Sequence, residues 1–252
     1  MLLRRITQHV KDQNWFAVFL DFVIVVIGVV MGLQAQQWLV EQDRRSSEQQ
    51  YLSRLHVDVS RLLETRKFYD ENRRATLGLA QRALEILNSE KTILDTAACR
   101  GIAATSYTTV PPDELPTATE LLSAGNLDAI RSEDVRTSLL RYMQEAATAE
   151  MLIMAQSEDN RSLPREYPDL FQLNYGPAPE SLGSPDNNWI NPSCHAEAMR
   201  NNHGFMVNVA QNVYIYDVYT NRAILPVSAA LKRLHIALDA ELGLVHPDDA
   251  EN

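Results

Sequence analysis

The chain has 252 residues, 45% hydrophobic and 22% charged, which is an ordinary globular composition. Its formal charge of −10 is unevenly placed: residues 1–39 carry three basic and two acidic side chains (+1), and the remainder carries 20 basic and 31 acidic (−11). The acidic remainder shows no basic stripe of the kind a phosphate-binding surface needs, so nucleic acid is excluded as an expected partner.

In chain order, the first signal is a hydrophobic run. Phe16 to Leu33 contains 15 apolar residues in 18, interrupted by Asp21, Gly28 and Gly32. Trp15 and Trp38 flank it, roughly 34 Å apart along a helix at about 1.5 Å per residue. That distance suits a hydrocarbon core of about 30 Å with a tryptophan at each interface. A central Asp would cost about 2.5–3.5 kcal/mol, whereas the large apolar residues together return roughly 4–8 kcal/mol, so insertion wins. The expectation is a cytoplasmic N-terminus over 1–14 and a transmembrane helix over 15–39. A cleaved signal peptide and a buried core helix are the competing readings; the apolar run is long for the first. Flanking charges nearly tie, with Arg4, Arg5 and Lys11 before the span and Arg44, Arg45 and Arg54 after it. A short basic N-terminus ahead of a long apolar run favours the signal-anchor orientation. That places the rest of the chain outside the cell (inner) membrane, in the periplasm of a Gram-negative bacterium.

Within the span, Asp21, Val25, Gly28, Gly32 and Ala35 fall within about 80° of one another at 100° per residue. Gly28 and Gly32 make a G-x-x-x-G pair that permits close helix approach. An intramembrane carboxylate faces protein or water rather than lipid. The stripe is therefore the candidate contact with a membrane-protein partner or a second copy. The competing reading has Asp21 snorkelling to the nearer interface with incidental glycines.

Residues 40–245 read as one helical-bundle domain, ahead of a polar tail at 246–252. No proline occurs before Pro111. Glu41 to about Leu94 is expected to form one long amphipathic helix, with Leu52, Leu55, Val59 and Leu62 at 3–4-residue spacing. Ala98 to Pro116 reads as a connection. A short helix follows at Thr117–Ala124, with Thr117 as its cap and Gly125 as its stop. Ser132 caps the next helix, which runs to about Asp159. A Pro- and Gly-rich crossover occupies about 161–195. The last helical region is Ala196–Leu242, with breaks at Gly204 and Pro226 and a stop at Gly243. Val213–Tyr219 is β-prone by composition, but its flanks are helical. The expected fold class is all-α, a single N-terminal transmembrane helix continuing into a long amphipathic helix and an antiparallel bundle.

The chain resembles a bacterial family of single-span proteins that carries only a domain-of-unknown-function label. The resemblance rests on Arg5-Ile6-Thr7, the Ile27-Gly28-Val29 to Gly32-Leu33-Gln34 run, Trp38, Glu120-Leu121-Leu122-Ser123-Ala124-Gly125-Asn126-Leu127 and the closing helix to Glu241-Leu242. Members leave the membrane through an Asn-Trp pair, where this chain has Gln37-Trp38. The resemblance implies a membrane helix and a helical body, and brings no catalytic residues.

Cys99 and Cys194 are the only cysteines. In an extracytoplasmic body they form a candidate disulfide joining the first connection to the end of the crossover. Cys194-His195 makes a poor nucleophile pair, because sequence neighbours seldom point at each other. Cys194, His195 and His203 lack CxxC, HxxxH or HExxH spacing. Tyr214, Tyr216 and Tyr219 read as bundle packing more readily than as a ligand surface. No cofactor, metal or catalytic residue is expected. The sequence points to a membrane-anchored interaction or sensory-type module working through a protein partner. A structural tether or assembly subunit is the alternative, and an enzyme is the least supported reading.

Overall fold

The structure, a computed structural model, describes residues 15–89, 93–177 and 188–244. The N-terminus over 1–14, the tail over 246–252 and the crossover's segment 178–187 lie outside the described residues. The chain divides into two compact units, residues 1–50 and 51–252.

Helix α1 (Trp15–Leu87) is a single 73-residue helix. No proline interrupts it, and its one glycine beyond the apolar run, Gly78, costs about 1 kcal/mol relative to alanine. In the first unit its large apolar side chains from Phe19 to Val40 are exposed, apart from the half-buried Val23, and Glu41 pairs with Arg45 one turn on.

The second unit is mostly helical. The long helix stops at Leu87, earlier than the expected Leu94. Asn88 and Ser89 close its last turn through bonds from their amides to the Leu84 and Ile86 carbonyls. Asp95 then starts helix α2 (Thr96–Ala104) by accepting from the Ala98 amide. This helix corrects the expectation that Ala98–Pro116 is irregular throughout; Asp95 is an N-cap signal ahead of a short helix of small residues. Helix α3 (Pro116–Ser123) has Leu115 rather than Thr117 at its N-cap, with proline in the first turn. The Thr117 amide instead donates to the Asp58 carboxylate of α1 at 2.9 Å, so a distant side chain does the work of a local cap. Gly125 follows with a positive φ of 67°, which glycine supplies without strain. Helix α4 (Glu133–Ser157) is capped by Ser132, as its sequence requires.

The expected all-α class needs one correction. The proline-rich crossover contains an antiparallel ribbon, β1 (Phe171–Pro177) with β2 (Asn188–Cys194), in register from Phe171↔Cys194 to Pro177↔Asn188. The crossover's sequence shows no alternation strong enough to predict a sheet. In a two-stranded ribbon both strands are edges, where Pro177 and Pro192 are tolerated. Helix α5 (Ala196–Asn201), helix α6 (His203–Val218), a π-helical turn (Tyr219–Ile224) and helix α7 (Leu225–Leu242) complete the unit. The β-prone Val213–Tyr219 stretch is helical, ending in the π turn. Gly243 terminates α7 with φ 67°.

Two apolar clusters hold these elements. One joins Leu55, Val59 and Leu62 of α1 to Leu121, Leu139, Leu231 and Leu234. The other joins Ala80, Ala83 and Leu87 to Ile102, Met199, Phe205 and Val209. Helices α1 and α7 run antiparallel: His56 meets Asp239, Ser60 meets His235 and Arg66 meets Ser228. Cys99 of α2 is bonded to Cys194 at the end of β2. At Gly101, a Cβ would lie 2.6 Å from the Ala80 amide nitrogen, so the α2 and α1 backbones touch.

The bond closes a loop of 95 residues, for which chain entropy gives a stabilisation of about 4–5 kcal/mol. We expect Cys99→Ser to lower the unfolding free energy by up to that amount in denaturant titrations, and reduction of the wild type to have the same effect. Gly101→Ala should cost about 1–3 kcal/mol, because the contacted atoms are backbone and cannot swing away. A normal midpoint in that variant would show that the two helices separate freely.

Candidate functional site

The residues of the expected stripe all lie on helix α1 in the first unit. Asp21, Val25, Gly28, Gly32 and Ala35 are all exposed. Beyond the helix's own neighbouring backbone, no described atom lies within 4 Å of a Cβ built on Gly28 or Gly32.

A second constellation lies wholly in the 51–252 unit. His56 and Ser60 stand one turn apart on α1; His235 and Asp239 stand one turn apart on α7. The spacing of four puts each pair on one helix face, and the antiparallel pairing turns the two faces together. His56 Nε2 lies 2.9 Å from Asp239 Oδ1, and His235 Nδ1 lies 2.9 Å from Asp239 Oδ2. Ser60 Oγ lies 3.2 Å from His235 Nε2. The two imidazoles stack with centroids 5.0 Å apart. The side chains retain 18% exposure at each histidine and 12% at Asp239. Each carboxylate oxygen thus meets a ring nitrogen, while a hydroxyl holds the far side of one ring.

Hydroxyl, imidazole and carboxylate in line is also the order of a hydrolytic relay. Both helices argue against that use. Ser60 sits in mid-helix, where neighbouring amides are already bonded to carbonyls four residues back, so no local backbone N–H is available for an oxyanion.

Further along α1, Arg66 is 2% exposed. It donates to Ser228 Oγ (2.8 Å), the Pro112 carbonyl (3.0 Å) and the Ile224 carbonyl (3.1 Å). Burial lowers its pKa. It still carries its charge, because the guanidinium starts far above neutrality. Burial also raises the carboxyl pKa of nearby Asp70. One α1 turn beyond, Arg73 donates to Tyr219 Oη (2.9 Å) and Thr109 Oγ1 (2.7 Å), and the Tyr219 hydroxyl donates to the Thr109 carbonyl. These bonds fasten the chain between α2 and α3, and the π turn, to α1.

The other sequence candidates separate. Cys99 and Cys194 are brought together and bonded. His195 is the N-cap residue of α5 and His203 begins α6; the cation-ligand geometry falls on His56, His235 and Asp239 instead. Tyr216 and Tyr219 are buried and Tyr214 is exposed. Burial pushes the Tyr216 phenol up to about 12. Sequence reasoning missed the His56 cluster because its halves lie some 180 residues apart. Only His235 and Asp239, four apart on a helix, gave a local hint. No protein family, curated protein or solved structure matches the chain.

Removing the Arg66 side chain leaves three acceptors without their donor inside the unit. We expect Arg66→Ala to lower stability by about 3 kcal/mol or more. Arg66→Lys should recover only part, since an ammonium cannot reproduce the planar fork. Urea denaturation checks both; a loss under about 1 kcal/mol for alanine would show that water replaces the guanidinium.

Proposed function

We propose that this protein is a single-pass membrane protein whose helical domain lies outside the cytoplasm and acts through a protein partner rather than by catalysis of its own. The observation that carries this reading is the bare apolar surface of α1. Phe22, Val25, Met31 and Trp38 are each more than 60% exposed, and none of the most apolar stretch is buried. Soluble monomers rarely leave apolar surface contiguous over more than a few hundred Å². A bilayer covers it on every side, as a groove for one face would not. The wholly exposed run is also unlike the core helix of a soluble domain.

The Cys99–Cys194 bond supports an extracytoplasmic domain, since such bonds persist in oxidising compartments. The Asp21–Gly28–Gly32 face supports lateral contact in the membrane, with a second copy or another membrane protein. On the sensory reading, a change in the helical domain is passed to that contact. A constitutive tether uses the same contact without switching.

Three measurements test the proposal. The full-length chain should stay in alkaline-washed membranes. A phosphatase that folds only in the periplasm should be active when fused to the C-terminus. A shortened chain in the soluble fraction would make the apolar run a signal peptide, and an inactive fusion would reverse the orientation. In an in-membrane association assay, Gly28→Ile with Gly32→Ile should reduce self-association to background; unchanged association would remove the homodimer.

A further inference from the structure

We propose that His56, His235 and Asp239 form a binding site for a divalent transition-metal ion of the zinc type, with Ser60 as the residue that orients His235. The site is independent of the membrane reading, because every member lies in the 51–252 unit.

The donor set defines the ion. Two imidazoles and one carboxylate suit Zn²⁺ and its first-row neighbours, whereas Ca²⁺ and Mg²⁺ prefer oxygen alone. The geometry is close to what such an ion requires. One donor atom from each of the three side chains can be chosen so that all lie within 4.8 Å of one another. Zinc holds nitrogen and oxygen at about 2.0–2.2 Å, which sets tetrahedral donors about 3.3–3.5 Å apart. Small rotations of side chains at the rim of a helix pair close that difference, and their residual exposure gives an ion a way in.

Proton positions also allow it. Without an ion, His56 Nε2 and His235 Nδ1 can each donate to one Asp239 oxygen. To bind a metal, each must present a lone pair instead. A neutral imidazole does this by carrying its proton on the other ring nitrogen. For His235 that nitrogen is Nε2, which faces Ser60 Oγ at 3.2 Å. A hydroxyl accepts as readily as it donates, so Ser60 serves both tautomers. Metal-binding histidines characteristically have such a partner on the second nitrogen, and its loss costs about 10–100-fold in affinity. Three protein ligands leave a fourth position for water or for a ligand group from a partner.

The test uses full-length protein in detergent, without a polyhistidine tag and stripped by chelator. Titration with Co²⁺ should give one ion per chain and the intense visible bands of a four- or five-coordinate site, and one equivalent of Zn²⁺ should abolish them. Ser60→Ala should weaken Zn²⁺ binding about 10–100-fold. His235→Gln and Asp239→Asn should each weaken it at least as much, while His195→Gln with His203→Gln should leave it unchanged. Absence of stoichiometric Co²⁺ bands in the wild type overturns the proposal, and so does binding insensitive to Asp239→Asn. If a ligand variant fails to fold by circular dichroism, the wild-type spectrum and Ser60→Ala decide alone.

Discussion

The Arg66 guanidinium is enclosed by protein and donates to three neutral oxygens: Ser228 Oγ and the carbonyls of Pro112 and Ile224. A cation removed from water must have its donors met, because the cost of leaving them bare exceeds what any single contact returns. That requirement constrains three separate pieces of chain. The connection before α3 must bring the Pro112 carbonyl inward. The α6–α7 junction must turn the Ile224 carbonyl towards the guanidinium, and α7 must place Ser228 against α1. The π turn at Tyr219–Ile224 leads directly into α7. It also accommodates Pro226, which has no N–H to offer and would crowd the carbonyl four residues before it.

Once Arg66 fixes α7 against α1, the rest of that pairing follows from antiparallel register. Moving from Arg66 towards the N-terminus of α1 brings Ser60 and then His56 opposite His235 and Asp239. A buried cation in one part of the helix pair thus helps to align a histidine–carboxylate cluster in another. The disulfide plays the corresponding part for the second apolar cluster. It ties α2 to the ribbon, whose Phe171 is among that cluster's buried residues.

Much of the helical content was legible because it is written locally. Leu52, Leu55, Val59 and Leu62 recur at helical spacing and all are buried. Ser132 and Gly243 mark helix ends by chemistry that needs no tertiary partner. The failures have the opposite character. Thr117 looked like a cap, but its amide is met by Asp58, 59 residues earlier. The ribbon hid among prolines because its pairing is satisfied across strands, with no alternation strong enough to announce it. The disulfide was readable as a possibility from the count of two cysteines. The His56 cluster was not, because neither half is unusual until the helices meet.

The stretch between the apolar run and the buried core poses its own physical question. Residues 34–50 are largely exposed and polar, with Glu41–Arg45 as one side-chain pair on their surface and Glu48 buried. Such a pair contributes only about 0.2–0.5 kcal/mol, and an isolated helix of that length is marginal in water. What maintains it is cooperativity. The nucleation cost falls on the first turn, and this stretch has helix on both sides, so each of its residues needs only to propagate. Its sequence meets that condition: no proline or glycine occurs between Leu33 and Arg54, and Gln, Glu, Arg and Ala make up 11 of residues 34–50. Continuity of α1 through this stretch is therefore supported by helical order on both sides of it, which on the N-terminal side is carried by the apolar run.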